Sequence, residues 1–254
     1  MKINTILIIC FLTITKLTLN MKYHNKICMI VRFKNERHIL YEFIQHYLLE
    51  EIDTIFLIDD NSDDDYMAYH KCWLLPLISS KKVIIKKSLK NQIYDYNNYV
   101  REFINYRWIL ICDMDEFFFS VPYGSTLKSI LNTKYSDIDY ILVPWKLFSH
   151  HSKNQPKSVI DNNVRTHSKL MDSVSVMAGS KGNKYIVKPS VVKYFKVHCC
   201  LFNNKVKKMI FNNCHNNIIE NNHYKTQSKE FLLGVKASRG GGKISSNKND
   251  NLVS

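Results

Sequence analysis

No Asn-x-Ser/Thr acceptor occurs anywhere in the 254 residues, although asparagine is abundant, so nothing in the chain marks it for N-glycosylation in a secretory lumen. It also lacks a Cys-x-x-Cys pair. Its seven cysteines are an odd number at irregular spacing, and Cys28 and Cys112 fall inside apolar runs, where a reduced thiol behaves as a small apolar side chain. That usage points to a reducing compartment. His198, Cys199, Cys200, Cys214 and His215 offer zinc-ligand types, but adjacent cysteines make poor tetrahedral ligands and the spacing fits no zinc motif. The apolar stretch from Ile6 to Ile14, flanked by Lys2 and Lys16, falls short of the about twenty residues that cross a bilayer. It also lacks the small residues of a signal-peptide cleavage site. No internal repeat is visible.

Negative charge is scarce. Asp and Glu number 22 against 36 Lys and Arg, giving a net charge of +14 and a pI near 9.3, so an anionic partner is expected. Nucleic acid, an anionic membrane and the phosphates of a sugar nucleotide all qualify, while nucleotide bias in the coding sequence explains a lysine and asparagine excess equally well. With 45% hydrophobic and 12% aromatic residues the chain can bury one substantial core, and no second domain is evident. Residues 21–240 are read as that domain, with Met21 a natural start just ahead of the first strand. Residues 1–20 read as a weak signal-anchor or an upstream extension, and 241–254 as a disordered polar tail after Gly240-Gly241-Gly242. A cytoplasmic location is expected, or weak membrane association if residues 1–20 act as an anchor.

Ile27 to Phe33 reads as a strand, broken by Lys34-Asn35-Glu36 ahead of a helical pattern from Arg37 to Glu50 with Leu40, Phe43, Ile44, Tyr47 and Leu48 in one stripe. Thr54 to Ile58 and Val83 to Lys86 read as further strands, Gln92 to Tyr106 as a helix, and Trp108 to Cys112 as a buried strand. This alternation predicts an α/β fold, with a mostly parallel sheet flanked by helices in a single domain. Beyond it, Ser125 is expected to cap a helix through Leu131. Strands are expected at 140–143, 185–187 and 194–197. Residues 149–183 read as irregular loops, and Ser228 as the cap of a helix with Glu230 in its first turn.

Three polar clusters fall at the C-terminal ends of consecutive predicted strands, where open α/β sheets bind ligands. The first is Lys34-Asn35-Glu36. The second is Asp59-Asp60-Asn61-Ser62-Asp63, which fails as an EF-hand because Asp64 stands where glycine is required and His70 where a glutamate is required. The third is Asp113-Met114-Asp115-Glu116-Phe117. Strand alternation would aim Asp113 and Asp115 the same way with Met114 turned inward. Two such carboxylates can hold Mg²⁺ or Mn²⁺ while substrate phosphates complete the shell.

In order along the chain come Lys34-Asn35-Glu36, Asp59 to Asp63, Gln92 with Tyr96-Asn97, Trp108 to Phe117 and Trp145-Lys146-Leu147-Phe148. Asn222-His223-Tyr224, Thr226, Ser228, Glu230-Phe231, Lys236 and Arg239-Gly240 follow. This series resembles the glycosyltransferase family 2-like group close to family 92, over about residues 26–240. The resemblance implies a Rossmann-like GT-A fold and metal-dependent transfer of a sugar from a nucleotide diphosphate sugar to a hydroxyl of a glycan, protein or lipid acceptor, with inversion. It implies nucleoside contacts at Glu36 and at Asp59 or Asp60, with Gln92 in the same donor site and Lys236 and Arg239 on the diphosphate. Asp113 and Asp115 would hold Mn²⁺ or Mg²⁺. His223 is the implied third ligand, with His198 its rival. Glu116, Asp161 and Asp172 stay open as the base. The chain departs from the family in having Ser149-His150-His151-Ser152 where a Gly-Ser-x-Gly stretch is common, which touches the acceptor loop. On this reading no nucleic acid is expected as partner. The alternatives are a basic protein binding nucleic acid or anionic surfaces on the same shell, and a nucleotidyltransferase with similarly paired carboxylates.

Overall fold

A computed structural model of the chain describes residues 25–149, 154–162, 164–165, 182–212, 218–225 and 227–236. The proposed N-terminal extension and C-terminal tail, together with Asp172 and Arg239, lie outside the described residues, as does most of the loop expected at 149–183.

The first half is a run of parallel units. Strand β1 (Ile27–Phe33) leads through a turn into α1 (Arg37–Leu49), then β2 (Thr54–Asp59), the short helices α2 (Tyr66–Tyr69) and α3 (Lys71–Ser79), and β3 (Val83–Lys87). Helix α4 (Gln92–Tyr99) tightens into a 3₁₀ turn over Val100–Phe103 before β4 (Trp108–Asp113), so the helix expected to reach Tyr106 stops earlier. The second half adds β5 (Glu116–Ser120), α5 (Leu127–Asn132), β6 (Tyr140–Ser149), α6 (Val159–Asn162), β7 (Val164–Arg165), β8 (Asn183–Val187), β9 (Val192–Phe195) and β10 (Cys200–Phe202). It ends with β11 (Met209–Phe211), β12 (Ile219–His223) and α7 (Lys229–Phe231), which runs on as a π turn to Lys236.

The main sheet is ordered β3-β2-β1-β4-β8-β6-β12-β5, with β7 and β11 also paired to β6, while β9 and β10 form a separate hairpin. The expected parallel character holds across β3, β2, β1 and β4. Beyond β4 the sheet turns mixed, because β8 runs antiparallel to both β4 and β6, and β12 is parallel to β6 and antiparallel to β5.

Period-two alternation puts Ile27, Met29, Val31 and Phe33 of β1 on one face, against Ile39, Leu40, Phe43, Ile44 and Tyr47 of α1. Cys28 and Ile30 point to the other face, where Tyr96 and Tyr99 of α4 and Phe103 cover them. Helices therefore cover both faces of an α/β sheet, as expected. Cys28 and Cys112 are buried free thiols, and Cys72, Cys199 and Cys200 are free as well. No helix among the described residues is long and apolar enough to cross a membrane.

Register places the site. Phe33 of β1 lies level with Asp59 of β2, and Arg32 with Asp113 of β4, so the three polar clusters open on one edge of the sheet. On the far side β12 pairs with β5 so that His223 faces Glu116 across the ladder. Tyr47 fixes the start of β5 from beneath, its hydroxyl donating to the Glu116 carbonyl at 2.9 Å and accepting from the Phe118 N–H at 2.9 Å.

Candidate active site

The strand ends enclose an open cavity of about 350 Å³. Glu36, Asp60, Gln92, Asp113, Asp115 and His223 line it, so six of the residues singled out from sequence converge on one space. Met114 shows only a small face there and is otherwise packed in the core, turned inward as expected.

Asp115 and His223, both largely buried, meet at the cavity wall, with Nε2 3.5 Å from Oδ2. Among the described residues, Asp115, Glu116 and His223 are a set whose ligand atoms lie within 4.8 Å of one another. The donor types fit a divalent cation: two carboxylates and an imidazole suit Mn²⁺, and the buried His223 Nδ1 and Glu116 Oε1 have no hydrogen-bond partner.

Asp113 sits differently from the expected ligand pair. Its Oδ2 accepts from the Lys184 ammonium at 2.8 Å and its Oδ1 from the Gln92 amide at 3.2 Å. Burial pushes its carboxyl up, but the Lys184 charge outweighs that and holds it below the usual aspartate value. Glu116, expected near the reacting atoms, is fully buried; its Oε2 accepts from Asn221 at 3.4 Å and its Oε1 lies 3.7 Å from Lys184. Burial drives its pKa well above the ordinary glutamate value. It is part of the floor of the site and does not line the cavity.

The two loop aspartates separate. Asp60 lines the cavity and pairs with Arg32 at 2.7 Å. Asp59 is buried and structural: it accepts from the Ser62 N–H at 2.8 Å, the Tyr66 hydroxyl at 3.2 Å and the Lys87 ammonium at 2.6 Å. A nucleoside contact by Asp59 would require breaking that network. Glu36 is the N-cap residue of α1 yet makes no side-chain capping bond, and it lines the cavity. His198, the rival ligand, bonds the Asn183 carbonyl at 3.1 Å, and burial, with Lys184 adding to it, holds its pKa below the usual histidine value. Asp161 is solvent-exposed on α6 and does not line the cavity. Lys236 closes the final π turn, its side chain outside the description.

Sequence reasoning missed three cations, Arg32, Lys225 and Lys184, and gave Lys34 no role beyond its place in a motif. Arg32, Lys34 and Lys225 line the cavity, and Lys225 carried a usable signal, being adjacent to a motif already picked out. Lys184 is fully buried in β8 and carried none, since lysine in a short strand ordinarily reads as a solvent-facing position.

No family model and no curated protein matches the chain. Among solved structures it is similar to TarS from S. aureus, at 17% identity and a TM-score of 0.40 over 67% of this chain and 30% of that one. It is similar also to TarS 1–349 in complex with UDP-GlcNAc, at 14% identity and a TM-score of 0.39 over 73% of this chain and 58% of that one. A third is the mannosyltransferase PcManGT from Pyrobaculum calidifontis in complex with GDP-Man and Mn²⁺, at 11% identity and a TM-score of 0.38 over 65% of this chain and 45% of that one. The chain spans less than two thirds of the length of each of these structures.

Proposed function

We propose that the protein is a GT-A glycosyltransferase that moves a sugar from a nucleotide diphosphate sugar to an acceptor hydroxyl, dependent on Mn²⁺ or Mg²⁺ and with inversion at the anomeric carbon. The observation that carries this reading is the convergence of Asp115 and His223 with Glu36, Asp60 and Gln92 on one cavity at the C-terminal rim of the sheet. The motif order shared with the family 2-like and family 92 group supports it from the sequence side.

In this reading Asp115 and His223 hold the cation, with Glu116 behind them. The cation supplies neutralisation of the charge that builds on the departing diphosphate. Lys34 and Lys225, at the cavity wall, take the place expected of Lys236 and Arg239 in steadying the same phosphates. Glu36 and Asp60 accept hydrogen bonds from the nucleoside. Gln92 holds Asp113 in place. Inversion needs a carboxylate on the face opposite the diphosphate to take the acceptor proton. Neither Glu116, buried beneath the site, nor Asp161, exposed on α6, lines the cavity, and Asp172 lies outside the described residues, so none of the three is assigned that role.

The test is thermal shift against UDP, GDP and CDP, each with and without Mn²⁺, on the wild type and on Asp115→Ala. One nucleoside diphosphate should stabilise the wild type only when Mn²⁺ is present, and Asp115→Ala should lose that gain while keeping the wild-type melting temperature in its absence. Equal stabilisation with and without Mn²⁺, or a response retained in Asp115→Ala, would refute the assignment.

A further inference from the structure

Lys184 is the single lysine among the described residues whose side chain is fully buried, and it lies inside the acidic cluster. Its ammonium donates to Asp113 Oδ2 at 2.8 Å and to the Val197 carbonyl at 3.5 Å, and stands 3.7 Å from Glu116 Oε1. A buried ammonium is retained only where neighbouring oxygens compensate its lost hydration, and here two carboxylates and a carbonyl do so. The site thus contains a covalently tethered cation at its inner end, against Asp113 and Glu116. Asp113, Asp115 and His223 line the cavity, and Lys184 and Glu116 lie buried behind them. Three carboxylates with no positive charge between them would repel one another and grip any divalent ion tightly. With one ammonium already in place, the cluster is held together before any ion arrives, and its pull on a second cation is reduced.

We propose that Lys184 is a positioning residue that sets how the metal is bound: it fills the inner end of the cluster, confines the divalent cation to Asp115 and His223, and keeps binding of the bare ion weak. Firm binding then requires the oxygens of the diphosphate, so the ion enters with the donor and leaves with the nucleoside diphosphate. The inference rests on the cation-dependent reading of this site. It also accounts for a lysine placed where a purely structural core would favour a hydrocarbon side chain.

Calorimetric titration of Mn²⁺ alone, then of Mn²⁺ with a nucleoside diphosphate, into the wild type, Lys184→Met and Lys184→Arg provides the test. Lys184→Met should bind bare Mn²⁺ about tenfold more tightly or better, because a unit charge has been removed from the ion's immediate surroundings. Lys184→Arg should stay as weak as the wild type. A lysine serving only to hold the fold gives the reverse, since loosening the cluster weakens metal binding. Should Lys184→Met be unfolded without metal, the same quantity is read from recovery of its melting transition by Mn²⁺. Bare-ion affinity in Lys184→Met equal to or below that of the wild type overturns the proposal, as does a chain that Mn²⁺ fails to fold. Absence of any Mn²⁺ response in the wild type, with or without nucleotide, removes the cation reading itself and this inference with it.

Discussion

Asp59 and Asp60 are chemically identical neighbours on which the chain places opposite demands. Asp59 is enclosed by Lys87, Ser62 and Tyr66, and although burial raises its pKa, Lys87 and Ser62 bring it below the usual aspartate value. Its contribution to stability is therefore present above the unfolded aspartate pKa and is lost as pH falls through the lower, folded value. Asp60 lines the cavity instead. Asp60→Asn should weaken donor binding with little change in melting temperature, and Asp59→Asn should lower the melting temperature itself; thermal denaturation alongside nucleotide titration separates the two. His46 offers a second prediction. Buried with Nε2 2.7 Å from the Phe118 carbonyl, it has its pKa pushed down by burial from 6.5 to about 4. Between those values the unfolded chain takes up a proton that the folded chain refuses, so stability falls as pH drops from 6.5 towards 4, by about 3 kcal/mol in all. His46→Gln, which can still donate to that carbonyl, should flatten the dependence in urea titrations across this window. At this scale the sequence was readable where residue type and position agreed. Asp115 follows an apolar strand and reaches the cavity, and His223 sits in a motif beside Tyr224. Asp113 and Lys184 were opaque together, because their pairing joins residues 71 apart that only the β4–β8 ladder brings side by side.

Among the elements, the parallel units were the most legible part of the fold, since each couples a buried apolar run to a striped helix and a polar break. The second half resisted for a physical reason: its strands are short, carry polar residues such as Asn183, Asn221 and Asn222, and exist through pairing with distant partners. Strand β5 has an aromatic run, Phe117-Phe118-Phe119, of which only Phe117 belongs to a sequence motif, and the sequence reading expects no strand there. Helix α5 shows how fine the error can be. Ser125 was the expected cap, but Thr126 is the cap: its hydroxyl accepts from the Ser129 N–H at 3.2 Å and Ser129 Oγ accepts from the Thr126 N–H at 2.9 Å, completing a capping box. Ser125 turns its hydroxyl to the Pro122 carbonyl instead. Thr126→Ala should cost about 1 kcal/mol and Ser125→Ala much less, read from the midpoints of urea unfolding curves.

For the molecule as a whole, the charge of +14 poses the question of what kind of anion it serves. A surface that gathers polyanions by counterion release loses about three orders of magnitude in affinity between roughly 50 and 200 mM salt when six or more phosphates are contacted. A cavity that held one diphosphate through a cation and two lysines, as proposed, would be partly shielded from that screening. Nucleoside diphosphate affinity at saturating Mn²⁺ should therefore change by less than about threefold over that range, while any polyanion binding collapses and ignores Mn²⁺.

The direction of β1 has a practical result. The strand begins beside Lys26, whose carbonyl accepts from the Arg107 N–H at the opposite rim, and its seven residues carry the chain about 20 Å to the polar edge at Phe33. Whatever is joined ahead of Asn25, whether a natural tether or a laboratory tag, attaches at the back of the molecule. A chain immobilised through that end would present its opening to the bulk.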